Sequence, residues 1–271
     1  MFFKNTFSIN YGRRIDRPAY QDLNPFLFFL DEYTYEAGNP FIKPQFTNNF
    51  ELSHTYKNFL TTTLNYSRTI DYMNETFQQE EVNGAKTYAT IVRHGNIGKR
   101  DAAGVSVNAR FTVAKWWNTS IYTNYNYNKF KGRLNGNGEY IDIAASNVLL
   151  NVNNQFKFNK GWSAEVSGFY RTKGVDGQII IQPLGQLSAG IGKQVLKTKG
   201  TLKFNVRDIL YTNKATGDIN FENTLAHFVN SRDSRVASLS FTYNFGKPIK
   251  GMQRRKIGGA DDETNRVKVG N

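Results

Sequence analysis

The chain has 271 residues, no cysteine, three histidines and a net charge of +13. The missing thiols exclude a disulfide scaffold, thiolate metal sites and a cysteine nucleophile, and His54, His94 and His227 are too scattered for a histidine metal cage. No apolar run approaches the roughly 18 residues that a membrane helix needs, yet aromatic residues reach 14% in a chain only 39% hydrophobic.

Met1 to Thr6 shows no charged n-region, no apolar h-region and no small-residue cleavage site. The expectation is a chain that stays in the cytoplasm or a fragment whose export signal lies upstream. From about Thr6 the dominant signal has period two, which predicts strands. After a first strand near Thr6, Phe50, Leu52 and Tyr56 oppose Asn49, Glu51, Ser53 and Thr55. Leu60, Leu64, Tyr66 and Ile70 then oppose Thr61, Thr63, Asn65, Ser67 and Thr69. Val105, Val107, Ala109, Phe111 and Val113 oppose Ser106, Asn108, Arg110 and Thr112. A copy follows near Ile121, and another in which Val148, Leu150, Val152, Phe156 and Phe158 oppose Asn147, Asn151, Asn153, Gln155 and Lys157. Further copies start near Trp162, Leu187 and Thr201, the last slipping phase at Arg207-Asp208, which predicts a bulge. The final copy is the cleanest: Ala237, Leu239, Phe241, Tyr243 and Phe245 against Ser238, Ser240, Thr242 and Asn244.

About ten strands result, joined in two ways. Tight turns fall at 56–59, 115–118, 159–162 and 197–200, and long loops at 15–44, 71–87, 133–142, 174–185 and 212–233. Short turns at one end and long loops at the other are the layout of an outer-membrane barrel. Aromatics at the tight turns fit an interfacial girdle. In hydrocarbon every backbone polar group must be paired, so strands span only as a closed barrel with lipid outside and water inside. A soluble β-sandwich also alternates, but with strands of about 5–6 residues and a Val/Ile/Leu core. The expected fold is therefore an all-β, antiparallel transmembrane barrel wall with short periplasmic turns and long extracellular loops. Basic residues are spread along the chain, and a wall facing anionic lipid head groups accounts for them as well as a nucleic-acid groove does; no nucleic-acid partner is expected. Residues 247–271 have almost nothing to bury and read as a basic, disordered periplasmic tail after a 1–246 barrel segment.

Several motifs resemble the C-terminal part of the barrel of Bacteroidetes-type TonB-dependent receptors, the outer-membrane β-barrel family. They are Arg14-Ile15-Asp16-Arg17-Pro18, Tyr20-Gln21-Asp22-Leu23-Asn24-Pro25-Phe26, Gly38-Asn39-Pro40, Pro44-Gln45 and Thr47-Asn48-Asn49-Phe50-Glu51-Leu52. Asn96-Ile97-Gly98, Gly104-Val105 and Phe241-Thr242-Tyr243-Asn244-Phe245-Gly246 follow in order. The resemblance covers about Arg13 to Gly246. It implies one long strand from Asn96 to Val113 and a 22-stranded parent barrel of which this chain supplies about the last ten strands. It also implies nutrient import in the outer membrane of a Gram-negative bacterium, without cofactor or covalent chemistry. The plug domain and the segment contacting the TonB energising complex would lie in a missing N-terminal part. Outer-membrane lipid and the barrel-insertion machinery would be further partners. The alternative is a self-contained ten-stranded barrel, acting as a passive pore or an omptin-like surface protease.

Candidate sites are few. Phe26, Phe28, Phe29, Tyr33 and Tyr35 form either an aromatic ligand surface or a strand extension packed on neighbouring loops. Arg13, Arg14, Asp16, Arg17 and Asp22 form a charge cluster, with Arg14 and Arg17 candidates for steering an anion or members of screened ion pairs. Glu51, Arg110, Glu165 and Arg171 are expected on the lumen side. His227 and Asp233 form a weak protease-like pair without a second catalytic aspartate pair. Leu239, Phe241, Tyr243 and Phe245 are the candidate signal for the insertion machinery, by similarity to other outer-membrane barrels.

Overall fold

The computed structural model describes residues 4–81, 88–134, 140–221 and 224–245. The expected tail at 247–271 lies outside the described residues. Among the described residues seventeen strands follow in chain order: β1 (Asn5–Asp16), β2 (Phe28–Asp31), β3 (Thr34–Glu36), β4 (Gln45–Tyr56), β5 (Leu60–Ile70) and β6 (Met73–Glu81). Then come β7 (Tyr88–Ala114), β8 (Trp117–Leu134), β9 (Tyr140–Lys157), β10 (Trp162–Arg171), β11 (Gly174–Asp176) and β12 (Ile179–Ile181). The last are β13 (Leu184–Val195), β14 (Gly200–Arg207), β15 (Lys214–Phe221), β16 (Thr224–Ser231) and β17 (Val236–Tyr243). Two 3-10 turns, Gln21–Leu23 and Asn159–Gly161, are the only helical pieces among the described residues.

The ten strands β1, β4, β5, β7, β8, β9, β10, β13, β14 and β17 run side by side, antiparallel, in one sheet. These are the ten period-two segments of the sequence. Among the described residues the sheet is open: β1 pairs only with β4, and β17 only with β14.

Register explains why the alternation had to be shared by all ten. Ile9, Leu52, Leu64, Val105, Tyr125 and Val148 are successive cross-strand partners. The adjacent row is Asn10, Glu51, Asn65, Gly104, Asn126 and Asn147. One row faces outward and the other inward, so a slip of one residue in any strand would put amides in lipid and rings in the lumen. The outward side chains are exposed, Ile9 at 82% and Leu239 at 69%. A bilayer, not a packed core, is what such a surface fits.

At the periplasmic end the turns are short and rimmed with rings. Lys57 and Asn58 both take positive φ, 46° and 59°, as a two-residue hairpin of the right twist requires. Trp116 stacks between Trp117 and Phe158, with Phe156 also in the stack. Tyr56 meets Phe59 edge-on, and Lys193 lies 4.7 Å from the Trp162 ring. The upper rim of the apolar band is Tyr11, Phe50, Tyr66 and Tyr127. The ten-residue step from Trp117 to Tyr127 climbs about 26 Å at about 3.4 Å per residue and a tilt of about 40°. That is the height of an outer-membrane apolar band, about 25 Å.

The extracellular end is more structured than the loop assignment implied. The described part of 133–142 is strand: β8 runs to Leu134 and β9 starts at Tyr140. Residues 71–87 supply β6, which hydrogen-bonds to the upper part of β7. Residues 174–185 and 212–233 supply a separate four-stranded sheet in the order β11-β12-β15-β16. This sheet packs on the inner side of the raised wall, where Ile97, Phe130, Leu134, Ile141 and Ile219 form the buried core. Gln178 fixes it in place, accepting from the Phe77 N–H at 2.8 Å and donating to the Phe77 carbonyl at 3.4 Å. The loop 15–44 is tied in by Asn96, whose amide donates to the Lys43 and Asp71 carbonyls and accepts from the Lys43 N–H.

The bulge expected at Arg207-Asp208 is absent. β14 ends at Arg207, and Asp208, with φ 49°, turns its carboxylate inward as a loop anchor. Register shifts lie instead between Ile97 and Lys99 and between Thr112 and Ala114 in the β7–β8 pair, and between Phe29 and Asp31 in the β2–β3 pair; the first involves two glycines. There Gly98 (φ 48°) and Gly132 (φ 149°) meet so closely that a Cβ on either would sit 2.6 Å from the other's Cα. Gly98→Ala is therefore expected to strain both strands, at roughly 1–3 kcal/mol. Limited proteolysis should then cut the raised hairpins above residue 98 while the ten-stranded wall stays resistant.

Candidate functional site

The inner wall is paved with Asn, Ser and Thr, and a few charges stand out on it. Near the periplasmic end Arg110 shares a cavity of about 720 Å³ with Thr112, Asn118, Ser120, Asn153 and Gln155. Arg110 also reaches a second cavity of about 370 Å³, lined by Tyr122, Asn151, Ser167 and Gln186. Between the strands Glu165 accepts from Lys203 at 3.3 Å and from the Asn153 amide at 3.0 Å. Glu51 accepts from Asn10. The four lumen charges expected from the sequence, Glu51, Arg110, Glu165 and Arg171, are thus on the inner wall.

At the mouth, under the four-stranded sheet, Arg100 and Arg171 line a cavity of about 270 Å³ with Tyr72, Asn126, Asn128, Asn147 and Asp176. Arg100 donates to the Asn128 side-chain oxygen from Nε at 3.1 Å and Nη2 at 2.7 Å. Its guanidinium lies 5.3 Å from the Tyr72 ring and 5.8 Å from the Phe130 ring. Tyr72 donates to Asp176 at 3.2 Å. Burial, with the nearby Asp176 charge second, pushes the Tyr72 phenol up to about 12, so it stays a neutral donor. Arg100, Tyr72 and Asp176 escaped the sequence reading because they lie on three segments that only the folded cap brings together. These recesses present amide, hydroxyl and guanidinium groups to whatever enters them; among the described residues no three His, Cys, Asp or Glu side chains gather to hold a metal ion.

The sequence-predicted residues fall as follows. Phe28 and Phe29 are on β2, Tyr35 is on β3, and β3 runs parallel to Thr90–Val92 of β7. The segment is thus a strand extension on a neighbouring hairpin, and the Phe29 and Tyr35 rings meet edge-on at 5.9 Å. Phe26, Phe28, Phe29 and Tyr33 nonetheless stay exposed. The charge cluster does not form as one group. Strand alternation sends Arg13 and Arg14 to opposite faces, with Arg13 over the Phe46 ring. Asp16 accepts from Gln45, Asp22 lies 3.2 Å from His94, and Arg17 is exposed. His227 pairs with Asp218 at 2.7 Å, not with Asp233, because β15 and β16 set those two side by side. The His227 hydrogen bond, then that from Gln182, holds the Asp218 carboxyl below its ordinary value. Leu239, Phe241, Tyr243 and Phe245 all lie exposed on the outer side, with the last two rings stacked at 6.1 Å.

Asp208 is the buried charge of the mouth. It accepts from the Thr212 and Asn213 N–H groups at 3.0 and 3.1 Å and from the Ser234 hydroxyl at 2.5 Å. Burial alone would push its carboxyl up; the three hydrogen bonds outweigh it and hold the group below the ordinary carboxylate range.

A sheet with a lipid face, a wet face, ring-lined periplasmic turns and a capped outer end defines an outer-membrane β-barrel wall. The chain belongs to the outer membrane protein beta-barrel family, whose family model matches residues 2–243, and its place is the outer membrane. No curated protein matches it by sequence. Its fold is similar to that of the siderophore receptor PirA from Pseudomonas aeruginosa, with a TM-score of 0.56 and 13% identity over 88% of this chain and 39% of that one. A mutant of the ferric enterobactin receptor PfeA from the same organism aligns at a TM-score of 0.49 and 16% identity, over 79% of this chain and 34% of that one.

The two faces have a direct test. Cysteine placed at Phe241 should resist a membrane-impermeant maleimide and be quenched by lipid-phase spin labels. Cysteine placed at Ser240, its neighbour on the wet face, should react readily in the same membranes.

Proposed function

We propose that this chain is the C-terminal barrel portion of a TonB-dependent receptor, of the Bacteroidetes type, that imports a nutrient across the outer membrane. The observation that carries this reading is the roofed mouth. A wet, cation-bearing inner wall ends beneath a loop sheet held by a buried core, which suits captured and gated entry better than free diffusion. The likeness to the barrel of a siderophore receptor supports it, and so does the open edge of the sheet at β1 and β17. A plug and a TonB-contacting segment complete such a receptor and occupy the lumen against Arg110 and Glu165. The chain performs no covalent chemistry in this role. The exposed rings of Phe26, Phe28, Phe29 and Tyr33, with Arg14 and Arg17 at the base of the same loop, serve as the outer contact surface for ligand.

In planar bilayers the isolated chain should give no discrete, reproducible conductance. Cross-linking in its own host should join it to TonB and to a plug-bearing polypeptide. Regular single channels, with neither partner captured, would favour the passive ten-stranded pore.

The strand Leu239 to Phe245 serves in addition as the assembly signal. Its alternating outward residues Leu239, Phe241, Tyr243 and Phe245 end at the periplasmic rim, where the insertion machinery reads such strands. In the full receptor, Tyr243→Ser with Phe245→Ser should reduce the heat-modifiable, inserted fraction several-fold, while removal of 247–271 should leave it nearly unchanged. The opposite pattern would place the signal in the tail.

A further inference from the structure

The lipid-facing wall is apolar up to Tyr66 and Tyr127, and directly above them its chemistry changes. The next outward row is Arg68, Asp101 and Lys129, cross-strand partners on β5, β7 and β8. Above it Lys99 stands opposite Lys131, and Lys131 opposite Asp142. Arg68 pairs with Asp101 at 2.6 Å, and Asp142 is shared by Lys129 at 3.3 Å and Lys131 at 3.9 Å. Four cations thus meet two carboxylates on one continuous outer patch.

We propose that Arg68, Lys99, Lys129 and Lys131 form a binding site on the outer wall for the phosphate groups of the outer-leaflet glycolipid.

Three observations lead there. First, the patch faces outward at the top of the apolar band, where charge in hydrocarbon would cost several kcal/mol and the adjoining phase is the head-group layer. Second, Lys99 and Lys131 are direct cross-strand partners. Like charges so placed repel and destabilise a sheet, and an anion bridging them removes that cost. Third, the Lys99 ammonium makes no direct ion pair or hydrogen bond among the described residues and feels Asp101 only through its field, and the Lys131 ammonium has only the long contact to Asp142, so both have room to take a ligand. The Tyr66 and Tyr127 rings below them, with Ala103 between, offer a surface for the acyl chains of the same molecule. A phosphorylated glycolipid carries both parts; a protein partner would need to displace lipid from the apolar wall beneath. The inference stands on the outer-membrane location and is independent of what the barrel transports.

The test uses the full chain in detergent, titrated with diphosphoryl lipid A, with its dephosphorylated form and with phosphatidylethanolamine, and read by native mass spectrometry. Diphosphoryl lipid A should be retained and the other two should not. Lys99→Gln with Lys131→Gln should weaken retention about tenfold or more, the scale of losing two lysine–phosphate attractions. Removing two like charges relieves repulsion, so this variant should fold, and heat-modifiable migration checks it. Lys99→Arg with Lys131→Arg should keep the affinity. Arg110→Gln with Arg171→Gln, on the lumen side, should bind as the parent does. Equal retention of the dephosphorylated lipid, unchanged binding by the Lys→Gln pair, or an equal loss in the lumenal pair would each overturn the site.

Discussion

Inside a bilayer there is no water to satisfy a backbone N–H or C=O left without a partner, and every feature of this wall answers to that. It dictates strands long enough to cross, neighbours on both sides, and a strict division of side chains between lipid and lumen. The eight inner strands of the sheet meet the requirement. The two outer ones, β1 and β17, meet it on one side only. A twelve-residue edge at Asn5–Asp16 and an eight-residue edge at Val236–Tyr243 need strand partners in the membrane. The receptor reading provides them within a larger barrel, whereas a ten-stranded pore must close these two edges on each other.

The same constraint decides what the sequence made legible. All ten wall strands could be read because lipid imposes its period on residues that are neighbours in the chain, as in Val148, Leu150 and Val152 against Asn147, Asn151 and Asn153. The cap sheet could not, because its strands are three to eight residues long and Ile179-Ile180-Ile181 shows no alternation. Its partner strand, Lys214–Phe221, is more than thirty residues away in sequence. The strand at both described ends of 133–142 went unread for a related reason: above the Gly98–Gly132 contact the wall leaves the membrane, and Leu134 and Ile141 face a protein core. The phase slip at Arg207-Asp208 was real in the sequence, but it marked a carboxylate leaving the sheet, not an extra residue within it.

The site divides in the same way. Single lumen-facing charges such as Arg110 and Glu165 were legible from strand phase alone. Arg100 was not, since its neighbours Tyr72 and Asp176 come from a turn and a cap strand. On the outer face the signal was present and easily passed over: in β7 the outward positions read Val107, Val105 and Ala103, then Asp101 and Lys99. The step from apolar to charged marks where hydrocarbon ends.

The attachment of the cap has a mechanical consequence. A sheet fixed by five buried side chains, a glutamine bound to a strand edge and a tyrosine held by Asp176 behaves as a grille rather than a door. On the receptor reading, solutes are then sorted by girth at the entrance before they reach Arg100 and Arg171 beneath it. On the same reading, the moving part lies below the grille, inside the lumen, where the wall presents amides and hydroxyls that can exchange partners at little cost.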